Sequence, residues 1–213
     1  RYLYIQQQVI EREKSELQAS LSALQAKIKP HFLFNTMNSI VSLIAIAPDK
    51  AEQMVMDLSE LLRASLRDNK TESTVGDEWH LCERYLEIEQ LRLGERLRWS
   101  SDFTALDLSL PIPALSLQPL VENAIYHGVQ PSTAPGFIQV VGKYVDNKVV
   151  ISVINSKPEH AVKLKEYRGN RMAVDNIRLR IARLYGDTAK LSLRDEGDRY
   201  VAEISYVPQA YER

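Results

Sequence analysis

Apolar side chains recur every seven residues in the first part of the chain, at Leu3, Ile10, Leu17 and Leu24. This spacing is typical of the seam of a coiled coil or a helical bundle. It predicts one helix from near Arg1 to about Ala47. We expect this helix to kink at Pro30, because proline has no amide hydrogen for the helical hydrogen bond.

A second amphipathic segment follows a turn at Pro48. Its apolar residues recur at helical spacing, at Ala51, Met54, Val55, Leu58, Leu61, Leu62 and Leu66. Two amphipathic helices joined by a short turn form an antiparallel hairpin. Because one hairpin cannot cover its own apolar faces, we expect a homodimer in which two hairpins form a four-helix bundle.

The pattern changes after Asp68–Thr74, a polar segment that we interpret as the linker between a domain of residues 1–70 and a domain of residues 71–213. Helices are predicted near Gly76–Leu93, from Ser116 to His127 with Gly128 as the stop, and from Met172 to Tyr185.

The strands of the second domain are predicted from alternating or continuous apolar runs, near Leu97–Phe103, Ile138–Tyr144, Lys148–Ile154, Ala189–Arg194 and Tyr200–Val207. Asp146 and Asn147 separate the second and third of these runs and predict a tight hairpin turn. Helices gathered on one face of a mixed, largely antiparallel sheet form an α+β sandwich.

Charge and cysteine content narrow the classes of function. The 213 residues carry a net charge of −1, which gives no electrostatic footprint for direct nucleic-acid binding. The single cysteine, Cys82, excludes an internal disulfide and suits a reducing compartment. No apolar run approaches the ~18 residues that a membrane-spanning helix needs.

His31 follows Pro30 directly and lies four residues before Asn35, on the same helical face. A kink beside the imidazole favours an exposed ring, and Asn35 is close enough to orient one ring nitrogen and leave the other as a nucleophile. The alternative is a histidine that packs in the seam, since the next heptad step after Leu24 falls on position 31.

Several segments resemble the LytS/YehU-type sensor histidine kinases, and most closely their AlgZ-like branch. Pro30–Asn35, with Met37 and Asn38, resembles the phosphoacceptor box, and Leu117–Gly128 resembles the N box of the ATP-binding domain. Tyr85–Arg92 resembles the helix that opens this domain, and the segment from Asn176 to Gly186 resembles its last helix. The resemblance covers roughly residues 20 to 207, in family order.

This resemblance implies a Bergerat-type sandwich that binds ATP with Mg²⁺, and autophosphorylation on His31. It further implies transfer of the phosphoryl group to an aspartate of a response regulator, usually of the LytTR type. An upstream membrane sensor segment is also implied, so that the chain would be the cytoplasmic portion of a bacterial inner-membrane protein.

The N box supplies the nucleotide-site candidates. Asn123 offers a neutral oxygen ligand for Mg²⁺, or alternatively bonds a buried carbonyl. Glu122 is a candidate for ordering a metal-bound water or polarising the nucleophile. His127 either contacts phosphate or complements the helix dipole. Arg180, like Arg92, either contacts phosphate or pairs at the surface.

The glycine-rich motifs depart from the family. Typical members have Asp-Asn-Gly-x-Gly where this chain has the segment from Asn155 to Glu159. The uncharged Asn155 can still offer an amide oxygen to adenine. Of the second motif only Gly169 and Asn176 remain, with a short lid between the motifs. Lys157 and Arg171 are candidates for replacing the lost phosphate contacts. A degenerate pseudokinase, acting as a regulator-binding platform or phosphatase, is therefore the alternative to an active kinase.

Overall fold

The structure, a computed structural model, describes residues 30–66, 72–158 and 168–208. By its internal contacts the chain divides into two compact units, Arg1–Asp68 and Asn69–Arg213. The heptad seam, the predicted kink and the lid lie outside the described residues. Within those residues, no helix is both long enough and apolar enough to cross a membrane.

The first unit contains two helices in contact, α1 (Pro30–Ile44) and α2 (Pro48–Leu66). Helix α1 ends at Ile44, three residues before the predicted end at about Ala47. Pro48 has no amide hydrogen to donate to the Ile44 carbonyl, and it disfavours the helical conformation at Ala47. Pro48 then begins α2, where its missing amide hydrogen costs nothing. The predicted hairpin is confirmed, whereas its dimerisation stays a prediction.

Helix α1 buries Thr36 and Ile40 and leaves a stripe of apolar side chains on its surface. The exposed fractions in this stripe are 69% for Phe34, 45% for Met37, 68% for Val41 and 59% for Ile44. Their spacing of three and four residues places them along one side of the helix. Helix α2 buries Ala51, Met54, Leu58 and Leu61.

The second unit contains three helices and seven strands within the residues described. The helices are α3 (Val75–Leu93), α4 (Gln118–Ala124) with a π-helical turn at Ile125–Val129, and α5 (Arg168–Tyr185). The strands are β1 (Glu72–Thr74), β2 (Leu97–Ala105), β3 (Pro111–Pro113), β4 (Gly136–Val145), β5 (Lys148–Ser156), β6 (Lys190–Asp195) and β7 (Arg199–Tyr206).

Five of these strands form the main sheet, in the order β2-β4-β5-β7-β6. The β2 and β4 pair is parallel, and the other three pairs are antiparallel. The hairpin between β4 and β5 turns at Asp146 and Asn147, as predicted, with φ of 50° and 62°. These left-handed conformations suit a two-residue turn of type I′, for which asparagine and aspartate are favoured.

One face of the main sheet is buried by the helices. Burial alternates along β5, where Val149, Ile151 and Val153 are buried and the residues between them are half-exposed. Helix α3 packs against β2, α4 against β5 and α5 against β6. This is the α+β sandwich that the sequence predicted.

Two predictions of local structure were wrong. Residues Glu72–Thr74, which we predicted as part of the linker, form a strand that pairs with Pro111–Pro113 in a two-stranded sheet. A strand of three residues is too short to show an alternating pattern. Gly128 does not end the helix after His127, since the chain continues through the π-helical turn to Val129. Gly128 is buried there, and its role is packing.

Candidate functional site

His31 lies in the first turn of α1, and its side chain is exposed. The Asn35 amide nitrogen is 3.1 Å from Nδ1 and 3.3 Å from Nε2 of His31. These nearly equal distances place the amide at the ring edge between the two nitrogens. The contact therefore restricts the ring without selecting one nitrogen, and the orienting role of Asn35 stays a prediction.

Helix α4 carries Glu122 and Asn123, both half-buried. Glu122 accepts a hydrogen bond of 3.1 Å from the Gln118 side chain, one turn earlier. With the described residues the Asn123 side chain makes no hydrogen bond. The described residues thus give no support to the alternative in which Asn123 bonds a buried carbonyl, and its amide oxygen can act as a ligand.

The π-helical turn after α4 touches the end of β5. A Cβ atom on Gly128 would lie 2.3 Å from Nδ2 of Asn155 and 2.8 Å from the Ser156 carbonyl oxygen. Only glycine allows this approach. The contact brings the N box against Asn155, which the sequence placed in a separate motif. His127, in the same turn, is exposed and meets the Tyr126 ring edge-on, with 4.9 Å between ring centroids.

Asn155 is nearly fully buried, with 4% of its surface exposed. Its amide nitrogen donates to the Ser156 carbonyl at 2.8 Å, which fixes the orientation of the amide group. The opposite end of the amide is therefore the oxygen, an acceptor suited to an exocyclic amino group such as that of adenine.

The side-chain oxygens of Asn155 and Asn123 fit ATP and Mg²⁺. Asn155 offers an acceptor for the base, and Asn123 offers one neutral oxygen for the metal. No group of three or more histidine, cysteine, aspartate or glutamate side chains that could hold a metal ion occurs in the described part of the chain. A single protein oxygen suits Mg²⁺, which keeps most of its coordination for water and phosphate oxygens.

Other predicted nucleotide contacts have partners within the protein. Arg180 donates to the Ala114 carbonyl, and Lys157 contacts both carboxylate oxygens of Asp195 at 2.8 and 2.7 Å. Asn176 is exposed on α5. Gly169 lies in the first turn of the same helix, but its packing lies outside the description.

Sequence reasoning missed two buried carboxylates on α3, Glu78 and Glu89, which are 2% and 1% exposed. Burial raises the pKa of both. Backbone amides oppose this shift at Glu78, and Arg92 opposes it at Glu89. The available signal was each glutamate's place among apolar residues at helical spacing, such as Cys82 after Glu78 and Tyr85 before Glu89.

Comparisons with known proteins identify the family of this chain. A sequence model described as histidine kinase matches residues 19–97. The sensor histidine kinase YpdA of Escherichia coli is 37% identical over 198 residues, which cover 89% of this chain and 34% of YpdA. The sensor protein LytS of Oceanobacillus iheyensis is 34% identical over 194 residues, covering 84% of this chain and 32% of LytS.

Among solved structures, the catalytic domain of histidine kinase ThkA aligns with 65% of this chain and 95% of that domain, at 19% identity and a TM-score of 0.48. The chain spans about a third of the length of the curated relatives it matches. Because the relatives YpdA and LytS are 37% and 34% identical over most of this chain, the chain belongs to the LytS-type family of sensor histidine kinases.

Proposed function

We propose that this chain phosphorylates itself on His31 with ATP and then donates the phosphoryl group to an aspartate of a response regulator, of the LytTR type. The observation that carries this proposal is His31 itself. Its ring is exposed on α1, and Asn35 lies one helical turn away at its edge. An exposed imidazole with a lone pair is a nucleophile, whereas a histidine packed in a seam is not.

In the proposed reaction, a ring nitrogen of His31 forms a bond to the γ-phosphorus of ATP. The bond between that phosphorus and the bridging oxygen breaks, and ADP leaves with the electron pair. Asn155 accepts a hydrogen bond from the adenine amino group, and Glu122 orders a metal-bound water or polarises the attacking imidazole. Mg²⁺, held by Asn123, would neutralise charge on the phosphates. In this proposal, three further residues contact the nucleotide: His127, Gly169 and Asn176.

The second candidate function is a pseudokinase that binds its regulator or acts as a phosphatase. The observation that favours it is that two candidate phosphate ligands already have partners elsewhere in the same chain. Lys157 contacts Asp195, and Arg180 contacts Ala114. Together with the eroded glycine motifs, these contacts engage two side chains that could otherwise contact phosphate.

Labelling with ATP that carries ³²P at the γ position separates the two candidates. We expect label on the wild-type chain and none on His31→Ala. The matched control is His80→Ala, which removes another exposed histidine in the second unit and should keep the label. A wild-type chain that binds ATP but takes no label would favour the pseudokinase, and a labelled His31→Ala would exclude His31 as the acceptor.

The partners and location of the whole protein are also proposals. The exposed apolar stripe of α1 supports a homodimer through the two hairpins. We propose no direct contact with nucleic acid, because the net charge of the chain is −1. The match to about a third of longer sensor proteins supports a membrane sensor segment elsewhere in the full protein. In this proposal the chain is the cytoplasmic portion of a bacterial inner-membrane protein.

A further inference from the structure

We propose that helix α3 fixes both ends of helix α4, and that Glu78 is a positioning residue for phosphoryl transfer because it sets the place of Glu122 and Asn123. This inference rests on the proposed function and assigns a role to the opening helix of the second unit. The role differs from that of the residues that touch ATP, since Glu78 acts through the backbone of α4.

The amino-terminal end of α4 depends on Glu78. Its carboxylate accepts hydrogen bonds from the backbone amides of Leu115, Ser116 and Leu117 at 2.7, 2.8 and 3.1 Å. Leu117 occupies the N-cap position and provides no side-chain cap. Glu78 therefore satisfies, from a neighbouring helix, the N-cap amide of α4 and the two amides before it. The N-cap amide is the group that a capping-box glutamate of the same helix normally binds.

The Glu78 contacts also fix a strained segment. Leu115 has a φ of 59°, a left-handed conformation that is unfavourable for leucine. One carboxylate oxygen accepts from Leu115 and the other from Ser116 and Leu117. Because both oxygens are engaged, the contact defines the position of the chain and its rotation where α4 begins.

The other end of α4 is held from the same side. Arg96, in the short turn that follows α3, donates to the backbone carbonyls of Gln130 and Ser132, directly after the π-helical turn. Glu89 of α3 accepts from the Gln130 side chain and from Arg92. These contacts satisfy carbonyls at a helix end that would otherwise need water.

The position of Asn123 follows from these two attachments. Asn123 is six residues after Leu117, about 9 Å along the helix axis. A change of tilt or rotation where α4 begins therefore moves the Asn123 amide away from a metal that needs near-ideal geometry.

The test is Glu78→Gln, which keeps the shape of the side chain. An amide has one oxygen, so its NH₂ group must face at least one backbone N–H. We expect Mg²⁺-dependent ATP binding to weaken by about tenfold and the labelling rate at saturating ATP to fall further, because a misplaced metal ligand affects the transition state as well as binding. Hydrogen exchange of the α4 amides should accelerate without nucleotide.

The matched control is Tyr206→Phe. The Tyr206 hydroxyl donates to the Pro111 carbonyl at 2.7 Å, so this variant also loses a buried hydrogen bond to the segment that precedes α4. It should lower the melting temperature and leave ATP affinity and α4 exchange unchanged. Equal effects of Glu78→Gln and Tyr206→Phe on ATP binding and on exchange would reduce Glu78 to a structural role and overturn the inference.

Two further results keep the inference separate from the proposed function. If the wild-type chain fails to bind ATP, the proposed function fails, while α4 exchange still decides whether Glu78 positions the helix. If Glu78→Gln does not fold, Arg96→Ala tests the other end, with exposed Arg98→Ala as its control. If Arg96→Ala keeps wild-type ATP affinity and wild-type hydrogen exchange of the α4 amides, the proposal that both ends of α4 are fixed would be contradicted.

Discussion

At the scale of single residues, the structure links side chains that lie far apart in the sequence. Gly128 and Asn155 belong to different motifs, yet they are in contact. The Asn155 amide occupies the space that a side chain at position 128 would need. The family boxes indicated His31, Asn123 and Asn155 as candidates. Glu78 could not be identified in this way, because its backbone partners lie 37 to 39 residues away and offer no side-chain pattern.

Gly128→Ala should weaken ATP binding by displacing Asn155. The added methyl group would meet the Asn155 amide and the Ser156 carbonyl, and such overpacking costs about 1–3 kcal/mol of stability. The control is Gly142→Ala, whose added carbon would lie 2.4 Å from Cδ1 of Phe103. Calorimetric titration should show reduced ATP affinity in the first variant only. Equal affinities in the two variants would contradict a role for Asn155 in nucleotide binding.

Pro30→Ala and Asn35→Ala should both slow phosphorylation but differ in stability. We predict that Pro30 kinks a longer helix, and replacing proline inside a helix stabilises the helix by up to about 3 kcal/mol. We therefore expect Pro30→Ala to straighten that helix and draw His31 into the seam. Asn35→Ala removes only the contact at the ring edge. Thermal unfolding and the rate of label uptake measure the two effects, with exposed Asn38→Ala as the control. A Pro30→Ala chain that is more stable and fully active would show that the predicted kink has no role in phosphorylation.

At the scale of elements, hydrophobic periodicity predicted the main helices and the strands of the large sheet. These elements each bury one face, so their apolar residues recur at the spacing of the helix or the strand. The short sheet of β1 and β3 was missed because three residues show no period. The π-helical turn was missed because it depends on packing against β5, which local sequence does not encode.

Val41→Asp should weaken the homodimer. Val41 lies in the exposed apolar stripe of α1, and a buried, unpaired carboxylate in a dimer interface is strongly unfavourable. The control is Leu179→Asp, which places the same charge on an equally exposed leucine of α5, 71% exposed. Light scattering over a micromolar concentration series should show dissociation of the first variant alone. A monomeric wild-type chain at these concentrations would contradict dimerisation through residues 1–66.

At the scale of the whole molecule, the chain combines a helical unit with an exposed histidine and an α+β unit that we propose binds a nucleotide. Family membership follows from the relatives and the order of the boxes, whereas ATP binding by this chain depends on a site whose glycine motifs are eroded. The sequence predicted the α+β sandwich because the helices and strands of the second domain follow clear apolar patterns. The sequence could not show what the remaining basic side chains contact. The partners of Lys157 and Arg180 lie 38 and 66 residues away in the chain and are brought near only by folding.

The most direct test of this account is a titration of the chain with ATP, with and without Mg²⁺, in the wild type and in Asn123→Ala. We expect Mg²⁺-dependent ATP binding by the wild type and its loss in the variant, with an unchanged circular dichroism spectrum. Asn123 makes no hydrogen bond with the described residues, so its replacement should leave the fold intact. Unchanged affinity in Asn123→Ala, or no binding by the wild type, would contradict the account and leave the pseudokinase as the better description.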